Sequence, residues 1–166
     1  VDADRALFIT HEGKPVSEDT VGAIFAREEL RKGDLCVVPL NSSGLIEQVC
    51  ERAGARLEYC EIGQPATSRA VKKLGAAYSY EESGKYYFTR RRMWCDGLHS
   101  GVKMLEILQR RGTTLAELAA EFPPFFQVKH TVEVEDHQKD EIAREAARLM
   151  ESRLTEGRVR DLTIDG

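Results

Sequence analysis

Long apolar runs are missing from this 166-residue sequence. None approaches the roughly 20 residues of a membrane-spanning helix, and the opening VDADRALFI lacks the build of a secretory leader. An excess of positive charge is missing too. The 24 basic and 28 acidic side chains leave a formal net charge of −4, which argues against broad attraction to nucleic acid or to anionic membrane. The basic run Arg90-Arg91-Arg92 near Trp94 therefore reads as a solvated loop rather than an RNA-binding surface. Cys36, Cys50, Cys60 and Cys95 contain no Cys-x-x-Cys pair and have no histidine at zinc-ligand spacing. Reduced thiols in a cytoplasmic protein are the expectation, with Cys36 and Cys50 as small core residues. No glycine-rich loop of the Walker or dinucleotide type occurs, which weighs against a nucleotide enzyme. GLHSG puts His99 where a nucleophile elbow needs serine.

What is present is an alternation. RALFIT reads as a strand and HEGKP as a turn, and Ser17 caps a helix carrying Val21, Ile24 and Phe25 that stops near Gly33. DLCVVPL is a continuous apolar run of the kind buried on both faces of a parallel sheet. Leu45, Ile46, Val49, Cys50 and Ala53 recur at helical spacing up to Gly54. ARLEYCEI is the next strand, Pro65 opens a helix, and AAYSY is a strand again. Strands linked by helical crossovers predict an α/β fold: a mixed, mostly parallel sheet sandwiched by helices, with ligands beyond the carboxyl ends of the strands.

YSYEESGKYYF then raises a question, because Glu81, Glu82, Ser83 and Gly84 stand between two β-runs, and β-runs split by Ser-Gly describe a plain hairpin turn. Glu81, Glu82 and Ser83 also suit a hydroxyl-rich ligand, since carboxylates accept from alcohols and a serine hydroxyl both donates and accepts. Further on, Asp96-Gly97 opens a long helix carrying Leu98, Val102, Leu105 and Leu108, and Thr114 with Glu117 forms a capping box for a shorter one. Pro123-Pro124 marks a boundary. Beyond it FFQVKHTVEV reads as a half-exposed strand containing His130, Ile142 to Met150 stripe a helix, and RVRDLTI closes as a strand. A first residue Val1 and a last stretch TIDG suggest a piece of a longer protein.

With VDADR at residues 1–5, YEESG at 80–84 and CDG at 95–97, the chain resembles the phosphohexomutase family of phosphomannomutases, phosphoglucomutases and phosphoglucosamine mutases. The family's metal loop reads Asp-Gly-Asp-Ala-Asp-Arg, so Val1 takes the glycine place and Asp2, Ala3, Asp4 and Arg5 match onward. Its sugar loop, Gly-Glu-x-Ser-Gly-His, aligns with Tyr80, Glu81, Glu82, Ser83, Gly84 and Lys85. The resemblance implies residues 9–123 as a sugar-binding α/β domain, the third of four. Residues 1–8 would end the preceding domain with part of the metal loop, and 124–166 would begin a truncated α+β C-terminal domain.

The implied reaction is reversible phosphoryl transfer between C1 and C6 of mannose or glucose phosphate, through a phosphoserine and a hexose bisphosphate. Asp2 and Asp4 would be Mg²⁺ ligands, Glu81 and Ser83 would grip sugar hydroxyls, and Gly63 and Arg5 would be further substrate contacts. The phosphoserine loop and the phosphate-gripping loop would lie in missing domains of the same chain, so this piece alone should be inactive and should bind Mg²⁺ weakly. Two departures stand out. Lys85, a proton or phosphate contact, replaces histidine, and Glu61 stands where a basic residue often precedes Gly63. Glucosamine-type enzymes usually carry Gln at the place of Glu82, which turns the expectation toward glucose or mannose. The rival reading is a non-catalytic α/β binding module diverged from the same family.

Overall fold

A computed structural model describes residues 3–91, 94–124 and 132–153. The chain divides into two compact units, Val1–Phe126 and Gln127–Gly166. The first opens with a short antiparallel pair, β1 (Phe8–Ile9) and β2 (Pro15–Val16). Helix α1 (Glu18–Glu29) follows, its Ser17 hydroxyl accepting from the Thr20 amide as an N-cap does. It ends before Gly33, at Leu30. Then come β3 (Leu35–Pro39), α2 (Leu45–Ala53), β4 (Arg56–Cys60), α3 (Gln64–Leu74), β5 (Tyr78–Glu81) and β6 (Lys85–Tyr87). Helices α4 (Gly97–Arg111) and α5 (Leu115–Ala120) complete the unit.

The four-stranded sheet runs β4-β3-β5-β6, with β3 parallel to both neighbours and β6 antiparallel to β5. Every residue of β3 is buried, as a central strand covered on both faces requires. Its side chains alternate: Cys36 and Val38 enter the large core with Ile24, Phe25, Leu45 and Ile46, while Leu35 and Val37 meet Val71 and Ala76 beneath α3. Phe25 anchors the larger side, edge-on to Tyr86 and Phe88 at 5.0 Å each. Among the described residues no helix is long and apolar enough to cross a membrane.

Helix α4 turns the stripe that its sequence displays most clearly away from the core. Leu98, Val102 and Leu105 are 79%, 47% and 67% exposed, whereas Ser100, Met104 and Ile107 are buried. The exposed three join Phe8 and Ile9 around an apolar groove of about 740 Å³. Ile107→Ala should therefore lower stability by about 2–5 kcal/mol, while Leu105→Gln should stay within about 0.5 kcal/mol of the parent in urea denaturation.

All five tyrosines have hydroxyls pushed upward, burial being the first cause in each. Tyr59 reaches about 12, and Tyr78, Tyr80, Tyr86 and Tyr87 are displaced further in the same direction. A folded value above the unfolded one gives stability that is complete below the unfolded value of about 10 and fades as pH rises toward the folded one. Tyrosinate absorbance should thus appear together with loss of circular dichroism above about pH 10, not before it.

In the second unit, a 3-10 turn (Asp136–Gln138) leads into α6 (Lys139–Arg153), matching the striped helix. Of the expected strand FFQVKHTVEV, residues 132–134 take no strand conformation, and the remainder, with His130, lies outside the described residues. The RVRDLTI strand lies outside them too.

Candidate functional site

The hairpin YSYEESGKYYF is both a turn and a wall. Strands β5 and β6 pair Tyr80 with Tyr86 and Glu81 with Lys85, leaving Glu82, Ser83 and Gly84 as a three-residue loop. Gly84 supplies the left-handed residue at φ +83°, and its amide donates to the Glu81 carbonyl at 3.1 Å. The loop closes one side of a cavity of about 460 Å³ that includes Glu81, Glu82, Ser83 and Lys85 in its lining. Pro39 at the end of β3, Asn41 after it, and Ile62, Gly63 and Gln64 after β4 complete the lining with Arg5. The cavity sits where the parallel strands end, as expected for a sheet of this kind.

Glu81 is only 7% exposed, yet it borders this cavity. Its Oε1 accepts from the Tyr87 hydroxyl, a short contact that orients the carboxylate. Tyr87 is displaced far upward, first by burial and then by the carboxylate it donates to, so its proton stays on at neutral pH. Glu82 accepts from the Asn41 amide, while Ser83 is exposed at the loop tip. Gly63, at φ +107°, is the N-cap of α3 and directs that helix's positive end toward the cavity. Glu61 is exposed and is not among the lining residues.

The remaining wall is the segment before β1. Ala6 donates its amide to Gly84 at 2.9 Å, and Gly97 donates to the Ala3 carbonyl at 2.9 Å. Two glycines thereby clamp Ala3–Ala6, with Ala3 at φ +54°. Arg5 lines the cavity, while Asp4, 8% exposed, is buried behind Lys85 and is not among the lining residues. Lys85, 5% exposed, places Nζ 2.8 Å from Asp4 Oδ2 and 2.6 Å from Gln64 Oε1. Arg5 Nε stands 3.8 Å from Asp4 Oδ1. Beside them, burial raises the Cys95 and Cys60 thiols, leaving both as protonated, weakly polar neighbours.

Most residues singled out in the sequence thus converge. Glu81, Ser83, Lys85, Gly63 and Arg5 share one cavity with Asp4 directly behind it, while Asp2 lies outside the described residues. Among the described residues there is no group of three His, Cys, Asp or Glu side chains able to hold a metal ion. Asp4 alone fits as one hard-oxygen ligand, and the lysine ammonium against it marks the spot as favourable for positive charge. Sequence reasoning singled out none of Gln64, Tyr87 and Asn41. Their signal is positional: each lies at or beside the carboxyl end of a strand, or pairs across the hairpin from it.

A family model described as "Phosphoglucomutase/phosphomannomutase, alpha/beta/alpha domain III" matches residues 17–126. A probable phosphoglucosamine mutase of Methanopyrus kandleri is 33% identical over 99% of this chain and 36% of its own length. A phosphoglucomutase/phosphomannomutase of Thermococcus kodakarensis is 31% identical over 87% of the chain and 32% of its length. A phosphopentomutase of the same organism is 32% identical over 99% and 36%. The chain therefore spans about a third of the length of these curated relatives. Among solved structures, a phosphoglucomutase/phosphomannomutase family protein of Burkholderia thailandensis superposes with a TM-score of 0.67. It is 24% identical and covers 74% of this chain and 27% of its own, a likeness of fold.

Proposed function

We propose, from the premise that this chain belongs to the phosphoglucomutase/phosphomannomutase family, that it is the part of a sugar-phosphate mutase that holds the sugar. The observation supporting this most strongly is the Glu81–Lys85 hairpin bordering a polar cavity at the strand ends. In this reading Glu81, oriented by Tyr87, accepts hydrogen bonds from ring hydroxyls, and Ser83 donates or accepts from the loop tip. Because hydroxyls on either side of a pyranose present similar donors, the same pair serves the bisphosphate intermediate in both orientations. Arg5, 62% exposed at its side chain, reaches toward a phosphate, and Gly63 lets the α3 amino terminus approach it.

The phosphoserine and the gripping loop for the distal phosphate are assigned to other domains of the parent polypeptide, which is placed in the cytoplasm. Mg²⁺, when bound, supplies charge neutralisation for the migrating phosphoryl group. What this chain contributes is positioning, the main source of rate in phosphoryl transfer. Glucose and mannose phosphates remain the proposed substrates, with Glu82 held by Asn41 in place of the glutamine of glucosamine-type enzymes.

The test is mutase turnover by the parent polypeptide on glucose, mannose and glucosamine 1-phosphates, with the 166-residue chain alone expected to be silent. Glu81→Ala should lower kcat/KM at least about tenfold, the scale of one lost hydrogen bond to a charged group. A Glu81→Ala parent with undiminished turnover on all three sugars removes the assignment.

A further inference from the structure

We infer that the outer face of α3 carries a further binding site, formed by Ser68, Arg69, Lys72 and Trp94, for the phosphate and flat ring of a nucleoside monophosphate. The inference goes beyond the mutase reading and uses none of its residues, and no bond is made or broken at this site. Among the described residues, these four side chains line a surface cavity of about 380 Å³, a size usual for small-molecule sites. Helix α3 fixes three of them. Its Val71 is buried against Leu35 and Val37 of the sheet, while Arg69 and Lys72, one turn apart, are exposed. Trp94, the only tryptophan of the chain, stands between β6 and α4 and is 65% exposed, so its indole offers an open face for stacking.

The two cations are uncommitted. Among the described residues neither Arg69 nor Lys72 enters an ion pair, whereas Arg27, Arg90, Lys103 and Arg110 each meet a carboxylate. No acidic residue occurs within α3 itself. A phosphomonoester carries a charge of roughly −1.5 to −2 at neutral pH, which one guanidinium and one ammonium match. The rest of the ligand follows from what the lining lacks. Glu81, Glu82, Asn41 and Gln64 give the strand-end cavity its acceptors for sugar hydroxyls, whereas the side chains lining this one offer only the Ser68 hydroxyl. A bare sugar phosphate is therefore poorly served. A phosphate attached to a nucleoside, whose base stacks on the indole, occupies both halves.

The experiment titrates adenosine 5′-monophosphate into the parent polypeptide by isothermal calorimetry. Saturable binding is expected, with adenosine and ribose 5-phosphate each displacing the nucleotide only at concentrations about tenfold or more higher. Replacing both cations, Arg69→Ala with Lys72→Ala, should weaken binding at least about tenfold, and Trp94→Ala at least about fivefold. All three side chains are exposed, and circular dichroism confirms that each variant is folded. Glu81→Ala should leave the affinity within about twofold, since the strand-end cavity takes no part. Absence of saturable binding, unchanged affinity in the folded variants, displacement by ribose 5-phosphate at equal concentration, or loss of binding in Glu81→Ala overturns the inference. So does a single-stranded RNA that binds at this face while the mononucleotide does not. A parent that binds the nucleotide as expected without interconverting sugar phosphates loses the mutase reading alone.

Discussion

Gly97→Ala is expected to cost about 3 kcal/mol or more in urea denaturation, at or above the upper end for an overpacked site. A Cβ on Gly97 would lie 2.1 Å from the Arg5 carbonyl oxygen and 3.1 Å from that of Ala3. Both are backbone atoms, so no side chain can swing aside to make room. Gly97 also donates its amide to Ala3 and opens α4, whose cap Asp96 accepts from the His99 amide. Relief therefore requires either that α4 lose its first turn or that Ala3–Ala6 lift from the domain. The second outcome would separate Asp4 from Lys85. Gly101→Ala is the internal control, since a Cβ there meets nothing within 4 Å. It should stabilise by up to about 1 kcal/mol through helix propensity. A Gly97→Ala protein as stable as the parent would show that the entering segment does not pass where the clamp requires.

Asp4→Ala should cost about 3–5 kcal/mol, because it leaves the buried Lys85 ammonium, among the described residues, with the Gln64 carbonyl oxygen as its remaining partner. The loss should exceed that of any exposed ion pair, such as Lys14 with Glu12, where solvent screens the charges and the contribution is within about 1 kcal/mol. The pair is better than nine-tenths buried at Lys85 and about as buried at Asp4, so little screening applies. Adding Lys85→Met to Asp4→Ala should recover most of the loss, since an apolar side chain of similar length needs no partner. A double-mutant cycle by chemical denaturation reads the coupling directly. Additive losses, with no recovery in the double variant, would mean that the two side chains do not compensate one another.

Neither of these effects was visible in the sequence, and the reason is distance along the chain. Asp4 and Lys85 stand far apart in sequence, as do Gly97 and Arg5, and no local pattern announces that they meet. Gln64 and Asn41 carry no local signal, because their roles depend on which strands are neighbours. Helix α4 shows the same limit in another form. Its most regular apolar stripe, Leu98, Val102 and Leu105, faces outward, since periodicity identifies an amphipathic helix without saying which of two apolar faces the sheet will take.

What residue order determined by itself was local or periodic. The Ser17 cap, the Gly54 stop at φ +65°, the Thr114–Glu117 capping box and the all-apolar β3 each rest on interactions within a few positions or on a repeat matched to the pleat. The order Glu81-Glu82-Ser83-Gly84 was likewise enough to place a hairpin at a strand end. Only the folded chain decided that the hairpin borders a cavity, that Tyr87 aims Glu81, and that Lys85 turns toward Asp4. Short-range preferences are set by backbone sterics and hydrogen bonds between near neighbours. The charge environment of a buried ammonium is set by whatever segments the sheet brings beside it.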